Sequence, residues 1–169
     1  MFQSIEDFVS MWKAENERTK TLFQSLTSES LHFRPNPNVR SIRHLCGHLI
    51  KTPKELLERT GLVIEGLDDK APSPNDVQEL VQALEKTSED VTKAIQTHWT
   101  NEDLEKTDAM YGETWTRRQS LSVLLVHMIH HRGQLTTLMR LFGLKVLGMY
   151  GPSKEEWKMY GLEEPSDGE

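Results

Sequence analysis

The chain has 169 residues, of which 36% are apolar and 27% are charged, and its net charge at pH 7 is −6. This length suits one domain, and an acidic chain without a basic run lacks the electrostatic footprint of a nucleic-acid-binding protein. The longest aliphatic run, Val123 to Val126, is too short to span a membrane, and the N-terminus lacks a secretory signal pattern. A single cysteine excludes an intrachain disulfide, so we expect a cytoplasmic protein.

Apolar residues recur at helical spacing in four stretches of the chain. Ser4 and Ser41 are suited to cap the first two helices, and Pro35 and Pro37 interrupt the helical pattern between them. The spacing predicts helices near residues 5–26, 41–60, 76–98 and 117–142.

The remaining segments carry weaker patterns. Residues 99–114 have few periodic apolar positions, so we expect a long loop there. Ser153 with Glu156 forms a capping-box pattern for a short final helix. The acidic residues 162–169 are expected to be a disordered tail, which leaves residues 1–161 as the domain.

Four amphipathic helices without a strand pattern predict an all-α fold, a four-helix bundle. We expect an up-down arrangement with long connections, and a crossover arrangement stays open because the first two connections are long. Arg132 and Arg140 on the fourth helix could bind an anionic substrate or pair with acids of neighbouring helices, and we expect the pairing because it is the commoner outcome. Bundles hold metal sites between side chains that face inward from different helices.

Three of the seven histidines lie within five consecutive positions of the fourth predicted helix. At about 100° per residue, His131 lies roughly 40° and His127 roughly 80° from the centre of the apolar stripe, whereas His130 lies roughly 140° away. A pair at i and i+4 is the usual way in which a helix presents two imidazoles to one metal ion. His48, roughly 90° from the stripe of the second helix, is the candidate for a third imidazole. The other histidines are expected at the surface: His32, His44 and His98.

The motifs "SIRHLCGHL", "HMIHHRGQL" and "YGPS" resemble those of one family. Over nearly its whole length the chain is similar to the DinB/YfiT-like superfamily of small metal-binding four-helix bundles. The pattern of that superfamily has one histidine in helix two and an H-x-x-x-H pair in helix four, followed by Arg-Gly-Gln. By position, the resemblance implies metal ligands at His48, His127 and His131, the same three that the helical angles select.

The resemblance also implies a divalent metal ion, nickel or zinc, a small-molecule substrate and a homodimer. Some members resemble thiol transferases that add bacillithiol, mycothiol or glutathione to small electrophiles. The first interpretation is therefore a metal-dependent transferase that adds a low-molecular-weight thiol to an electrophile. A metal-dependent hydrolase that uses a metal-bound water, and a non-enzymatic metal-binding bundle, stay open because three imidazole ligands alone do not separate these functions.

The sequence identifies no catalytic residue. Gln134, about 60° from His131 around the helix, is the best-placed group to support a ligand, and Tyr111 and Glu113 are further candidates. Cys46 is expected to be a small core residue rather than a nucleophile.

Protons should compete with metal at such a site, because an imidazole ligates only in its neutral form. From the ordinary histidine pKa of about 6.5, we expect metal affinity to fall below about pH 6.5. The slope should approach three protons per ion if three imidazoles act together.

Overall fold

The computed structural model describes residues 2–163, which form a helical bundle with one small hairpin. The helices are α1 (Ile5–Gln24), α2 (Ile42–Glu58), α3 (Val77–His98) and α4 (Arg117–Phe142), the strands are β1 (Thr107–Met110) and β2 (Glu113–Thr116), and short 3₁₀ helices cover Ser30–His32, Asn101–Glu105 and Trp157–Tyr160. The predicted all-α four-helix bundle is confirmed, and every helix end lies within two residues of its predicted position.

Side-chain caps determine where the helices begin. Ser4 accepts a hydrogen bond from the Asp7 amide, and the Asp7 carboxylate accepts in return from the Ser4 amide. The other helices begin after the caps Ser41, Asp76 and Thr116, whose side chains accept hydrogen bonds from amides of the first turn. Helix α4 ends at Gly143, whose φ of 95° is the left-handed conformation in which glycine commonly terminates a helix.

The helix order around the bundle differs from the order in the chain. Helix α1 packs against α3 and α4, and α2 packs against the same two helices, so α1 and α2 lie on a diagonal. The first connection, residues 25–41, therefore crosses one end of the bundle. Fully buried side chains from all four helices meet in the core: Trp12, Leu49, Ile95 and Leu135.

The segment 99–114, expected to be a long loop, contains regular structure instead, so that prediction was wrong. It includes the 3₁₀ helix Asn101–Glu105 and continues into the antiparallel hairpin of β1 and β2. Tyr111 and Gly112 form the turn with φ values of 51° and 88°. A two-residue turn of this kind is normally marked by Asn-Gly or Asp-Gly, so the Tyr-Gly pair carries little signal in the sequence.

The C-terminal part of the chain folds back on the bundle. The expected short final helix is the 3₁₀ helix Trp157–Tyr160, and Glu156 Oε2 accepts a hydrogen bond of 2.8 Å from the Ser153 amide ahead of it. Residues 164–169 of the expected disordered tail lie outside the described residues. Within residues 2–163, no helix has the length and apolar character that crossing a bilayer requires.

A close approach holds the loop after α2 against that helix. A Cβ atom at Gly47 would lie 1.9 Å from Ser73 Oγ and 2.6 Å from Ser73 Cβ, so only glycine fits at this position. Arg43 Nη2 donates a hydrogen bond of 2.7 Å to the Ser73 carbonyl oxygen. The loop is therefore fixed beside the turn of α2 that carries His48.

A buried ion pair joins α4 to α1 and to the C-terminal segment. Arg132 is 2% exposed, and its guanidinium contacts a Glu15 carboxylate oxygen and the Tyr150 hydroxyl. It also donates to the Glu15 carbonyl oxygen at 2.8 Å and to Thr19 Oγ1 at 3.3 Å. Burial alone would raise the pKa of the Glu15 carboxyl, but hydrogen bonds from Tyr150 and Arg132 outweigh it and lower that pKa. The expected pairing of Arg132 with an acid of a neighbouring helix is confirmed, whereas Arg140 bonds to Glu155, which lies in the turn before the last 3₁₀ helix.

Glu15→Ala should destabilise the protein by about 3 kcal/mol, because removing one partner of a buried pair leaves the guanidinium of Arg132 without its counter-charge. The measurement is the free energy of unfolding in urea. Glu17→Ala, a change of an exposed carboxylate on the same helix, should alter that free energy by no more than about 0.5 kcal/mol. Equal effects of the two substitutions would mean that Arg132 does not depend on Glu15.

Candidate metal centre

Three imidazoles meet where α2 packs against α4. His48 Nε2 of α2 lies 3.0 Å from His127 Nε2 and 3.1 Å from His131 Nε2, both of α4. One ring nitrogen from each of the three lies within 4.8 Å of the other two. His131 is buried, and His48 and His127 are half-buried. The structure therefore brings together the three histidines that the sequence predicted as ligands.

The arrangement of these nitrogens fits a shared cation better than a hydrogen-bond network. A ring nitrogen has one position in the ring plane, which is either a proton or a lone pair. His48 Nε2 makes two short contacts, so hydrogen bonding satisfies one of them at most. Nitrogens bound to one ion at about 2.1 Å lie roughly 3.0–3.4 Å apart, which matches the observed spacing. Three histidines close together could therefore bind a metal ion.

Hydrogen bonds at the Nδ1 atoms of two of the rings also favour a metal site. His131 Nδ1 lies 2.7 Å from Gln134 Oε1, which accepts its proton, and His48 Nδ1 lies 3.3 Å from Thr52 Oγ1. The Thr52 hydroxyl donates to the His48 carbonyl oxygen at 2.8 Å, so its oxygen accepts from the ring. Protons on Nδ1 leave the Nε2 lone pairs free to ligate. Thr52 was not identified from the sequence, although it lies four residues after His48 on the same helical face.

The remaining histidines lie outside the cluster. His130 is exposed, and its Nε2 accepts a hydrogen bond of 3.0 Å from the amide nitrogen of Gln134. This contact orients the amide, because it leaves Gln134 Oε1 facing His131. The three histidines expected at the surface are all exposed: His32, His44 and His98.

Tyr111 and Glu113, the other candidates for supporting a ligand, form their hydrogen bonds elsewhere. The Tyr111 hydroxyl donates to Glu55 Oε2 at 2.6 Å, and Glu113 Oε2 accepts from Trp115 Nε1 at 2.7 Å. Both contacts hold the hairpin of β1 and β2. Among residues 2–163, the group of atoms that could hold an ion contains the three imidazoles and no carboxylate.

The environment of the three rings favours their neutral form. Burial, followed by the neighbouring imidazoles, lowers the pKa of His48 to about 4. Burial is also the main cause that lowers the pKa values of His127 and His131. The fall in metal affinity that the ordinary histidine pKa predicts should therefore begin at a lower pH, because protonation of these rings is shifted toward acid.

An open groove of about 670 Å³ adjoins the histidine cluster. Its wall includes His131 and Gln134, an apolar surface from Leu45 and Leu138, and the side chain of Arg40. A volume of this size is typical of small-molecule sites. The histidine cluster is therefore open to a ligand from the side of His131.

Cys46 lies one helical turn from Ile50 and Ile42 on the buried face of α2. Its side chain is fully buried, and burial raises the pKa of its thiol far above the ordinary value. A thiol must ionise to act as a nucleophile, so Cys46 is the core residue that the sequence predicts.

Comparisons with known proteins identify the family of the chain. The family model described as "DinB family" matches residues 1–167. The uncharacterized protein YrdA of Bacillus subtilis (strain 168) is 33% identical over 165 residues, which cover 98% of this chain and 99% of that protein.

Solved structures agree with this relationship. A DinB-like protein from Bacillus cereus ATCC 10987 is 33% identical and superposes with a TM-score of 0.84, covering 89% of this chain and all of that one. A DinB-like protein of Bacillus subtilis, YjoA, is 20% identical with a TM-score of 0.66 over 86% of this chain and 99% of that one, and at this identity the likeness shows the fold alone. The chain belongs to the DinB family.

Proposed function

We propose that the protein is a metal-dependent transferase that joins a low-molecular-weight thiol to an electrophilic small molecule. In this proposal His48, His127 and His131 hold one divalent ion, nickel or zinc. The observation that carries it is the convergence of three imidazole nitrogens beside an open groove. Imidazole suits both metals, so the proposal names both.

The lack of a carboxylate in the histidine cluster and its groove, within residues 2–163, favours thiol chemistry over hydrolysis. A divalent ion held by three neutral imidazoles keeps open positions and lowers the pKa of a thiol or water that binds there. A thiol, with an ordinary pKa of about 8.5, needs far less help to ionise than water does. No carboxylate of residues 2–163 belongs to the histidine cluster or to the groove beside it. Glu55, whose charge offsets a small part of the lowering of the His127 pKa, is bonded to Arg59 and Tyr111 instead.

The protein's own residues hold and orient the ligands. Gln134 and Thr52 accept the Nδ1 protons of His131 and His48, and each thereby fixes which ring nitrogen faces the cluster. His130 orients Gln134 in turn. The groove beside His131 admits a second molecule next to the site.

Replacing His48, His127 and His131 together by alanine should abolish divalent-ion binding, because all three donors are lost. The purified wild-type protein should bind about one zinc ion per chain, measured by metal analysis after dialysis. The matched controls are His44→Ala and His130→Ala, which change exposed histidines near the cluster and should leave the stoichiometry unchanged. Loss of zinc in His130→Ala but not in His131→Ala would reverse the assignment of helix faces.

Zinc affinity should stay nearly constant between pH 8 and 6.5 and then fall, because the lowered pKa values keep the three imidazoles neutral in that range. At lower pH the slope should approach three protons per ion. The measurement is competition with a chelator from pH 4 to 8, corrected for protonation of the chelator. A slope near zero would mean that histidines do not hold the ion, and a slope near one would leave a single imidazole ligand.

Gln134→Leu should weaken zinc binding by about tenfold, because the leucine cannot accept the Nδ1 proton that orients His131. Gln134→Glu retains an acceptor of similar shape and should keep wild-type affinity or exceed it. Chelator competition at pH 7.5 gives both values, with thermal unfolding as the check that the fold is intact. Equal losses in the two variants would argue against the hydrogen bond as the cause.

The proposed activity is tested with an electrophile and a panel of thiols. Zinc- or nickel-loaded protein should accelerate the conjugation of 1-chloro-2,4-dinitrobenzene with bacillithiol, mycothiol or glutathione, followed by absorbance. The triple alanine variant is the control and should show only the uncatalysed rate. Cleavage of p-nitrophenyl acetate without any thiol, lost in the same variant, would favour the hydrolase instead.

A further inference from the structure

The segment beside the histidine cluster has an unusual charge for this protein. Residues 30–54 contain no aspartate or glutamate, although the whole chain has 26 acidic residues and a net charge of −6. The same segment contains five lysines and arginines. It includes the end of the first connection and most of α2, and one of its five cations, Arg40, lines the groove.

Arg40 is the cation of this segment that faces the groove. It lines the groove of about 670 Å³ together with His131 and Gln134, and no acidic residue lines the same groove. Its charge also acts on the cluster, since it contributes to the lowered pKa values of His48 and His127.

Arg40 has no carboxylate partner within residues 2–163, whereas other arginines near the site are engaged. Arg59 is bonded to Glu55, Arg132 to Glu15, and Arg43 to the carbonyl oxygens of the loop after α2. An exposed guanidinium with five donors, at the mouth of a groove without acids, is suited to bind an anion in bidentate fashion.

Part of the lining of the groove is apolar. Its apolar residues include the buried Leu45 and Leu138, the half-buried Val39 and the exposed Leu141. Leu141 is 61% exposed and is accessible to a ligand in the groove. The groove therefore combines the cationic Arg40 with apolar surface.

We propose that this groove binds an organic anion, with its carboxylate on Arg40 and its apolar body on Leu45, Leu138 and Leu141. This inference deepens the proposed function, on which it rests, by assigning the chemical class of one of the two substrates. The bound molecule lies against His131 and Gln134, so its reactive end is adjacent to the histidine cluster. Charge complementarity selects an anion, and the leucines select one with a hydrocarbon part over a simple inorganic anion.

The test measures binding of octanoate and its neutral counterpart octanamide to the full-length zinc-loaded protein by calorimetry. Arg40→Gln should weaken octanoate binding about tenfold, because the guanidinium–carboxylate contact is lost. The Arg40→Lys variant should bind octanoate with an affinity between those of the wild type and Arg40→Gln, since lysine keeps the charge without the planar guanidinium. Octanamide should bind more weakly than octanoate to the wild type, and equally to the wild type and Arg40→Gln.

Arg34→Gln is the matched control. Arg34 is an exposed arginine of the same segment that lines a neighbouring cavity but not the groove, so its loss should change octanoate affinity less than twofold. Equal weakening of octanoate binding in Arg34→Gln and Arg40→Gln would overturn the proposal, because it would show that the general positive charge of the segment attracts the anion. It would also be overturned by equal affinities for octanoate and octanamide, or by no binding of octanoate to the wild type.

The same titrations on metal-free protein separate this inference from the proposed function. The ratio of octanoate affinities between the wild type and Arg40→Gln should persist without zinc, because the charge of Arg40 does not depend on the metal. A ratio that vanishes without zinc would mean that the ion binds the carboxylate, which contradicts the assignment to Arg40. If the purified protein binds no zinc but this affinity ratio persists, the anion site is supported and the metal-dependent transferase is rejected.

Discussion

The burial of one positive charge determines how α4 sits in the bundle. Arg132 is held between Glu15 of α1 and Tyr150 of the C-terminal segment, and this contact fixes the rotation of α4 about its axis. His131 precedes it in the chain, so its side chain leaves the helix about 100° away, toward α2. The same constraint that joins α1 to α4 therefore also sets the direction of the imidazoles that meet His48.

Local periodicity was enough to predict much of the fold and the cluster. The four helices follow from apolar spacing, and His48, His127 and His131 lie where their helical angles place them. Contacts between distant residues could not be predicted in this way. The pairing of Arg132 with an acid was expected, but Glu15 is 117 positions away and nothing local identifies it. The hairpin was missed because its strands have only four residues each and its turn uses Tyr111 in a conformation that is uncommon outside glycine.

The cluster carries a cost that the rest of the bundle must offset. The pKa values of its imidazoles are lower in the folded chain than in the unfolded one, so below pH 6.5 the unfolded chain binds more protons. The metal-free fold therefore loses stability as the pH falls through that range. A cation bound by the neutral rings would add its binding free energy to the folded state and oppose this loss. Burial thus prepares the rings for a metal and penalises their protonation.

The fully buried Cys46 has a consequence for the proposed chemistry of thiols and electrophiles. Its thiol stays protonated because burial raises its pKa, and it has no exposed surface through which an electrophile can reach the sulfur. The chain has no other cysteine, so it offers no competing thiolate of its own. Under the proposed function, the disulfide form of a low-molecular-weight thiol would meet no accessible protein thiolate to attack it, so the chain would not be inactivated through a mixed disulfide.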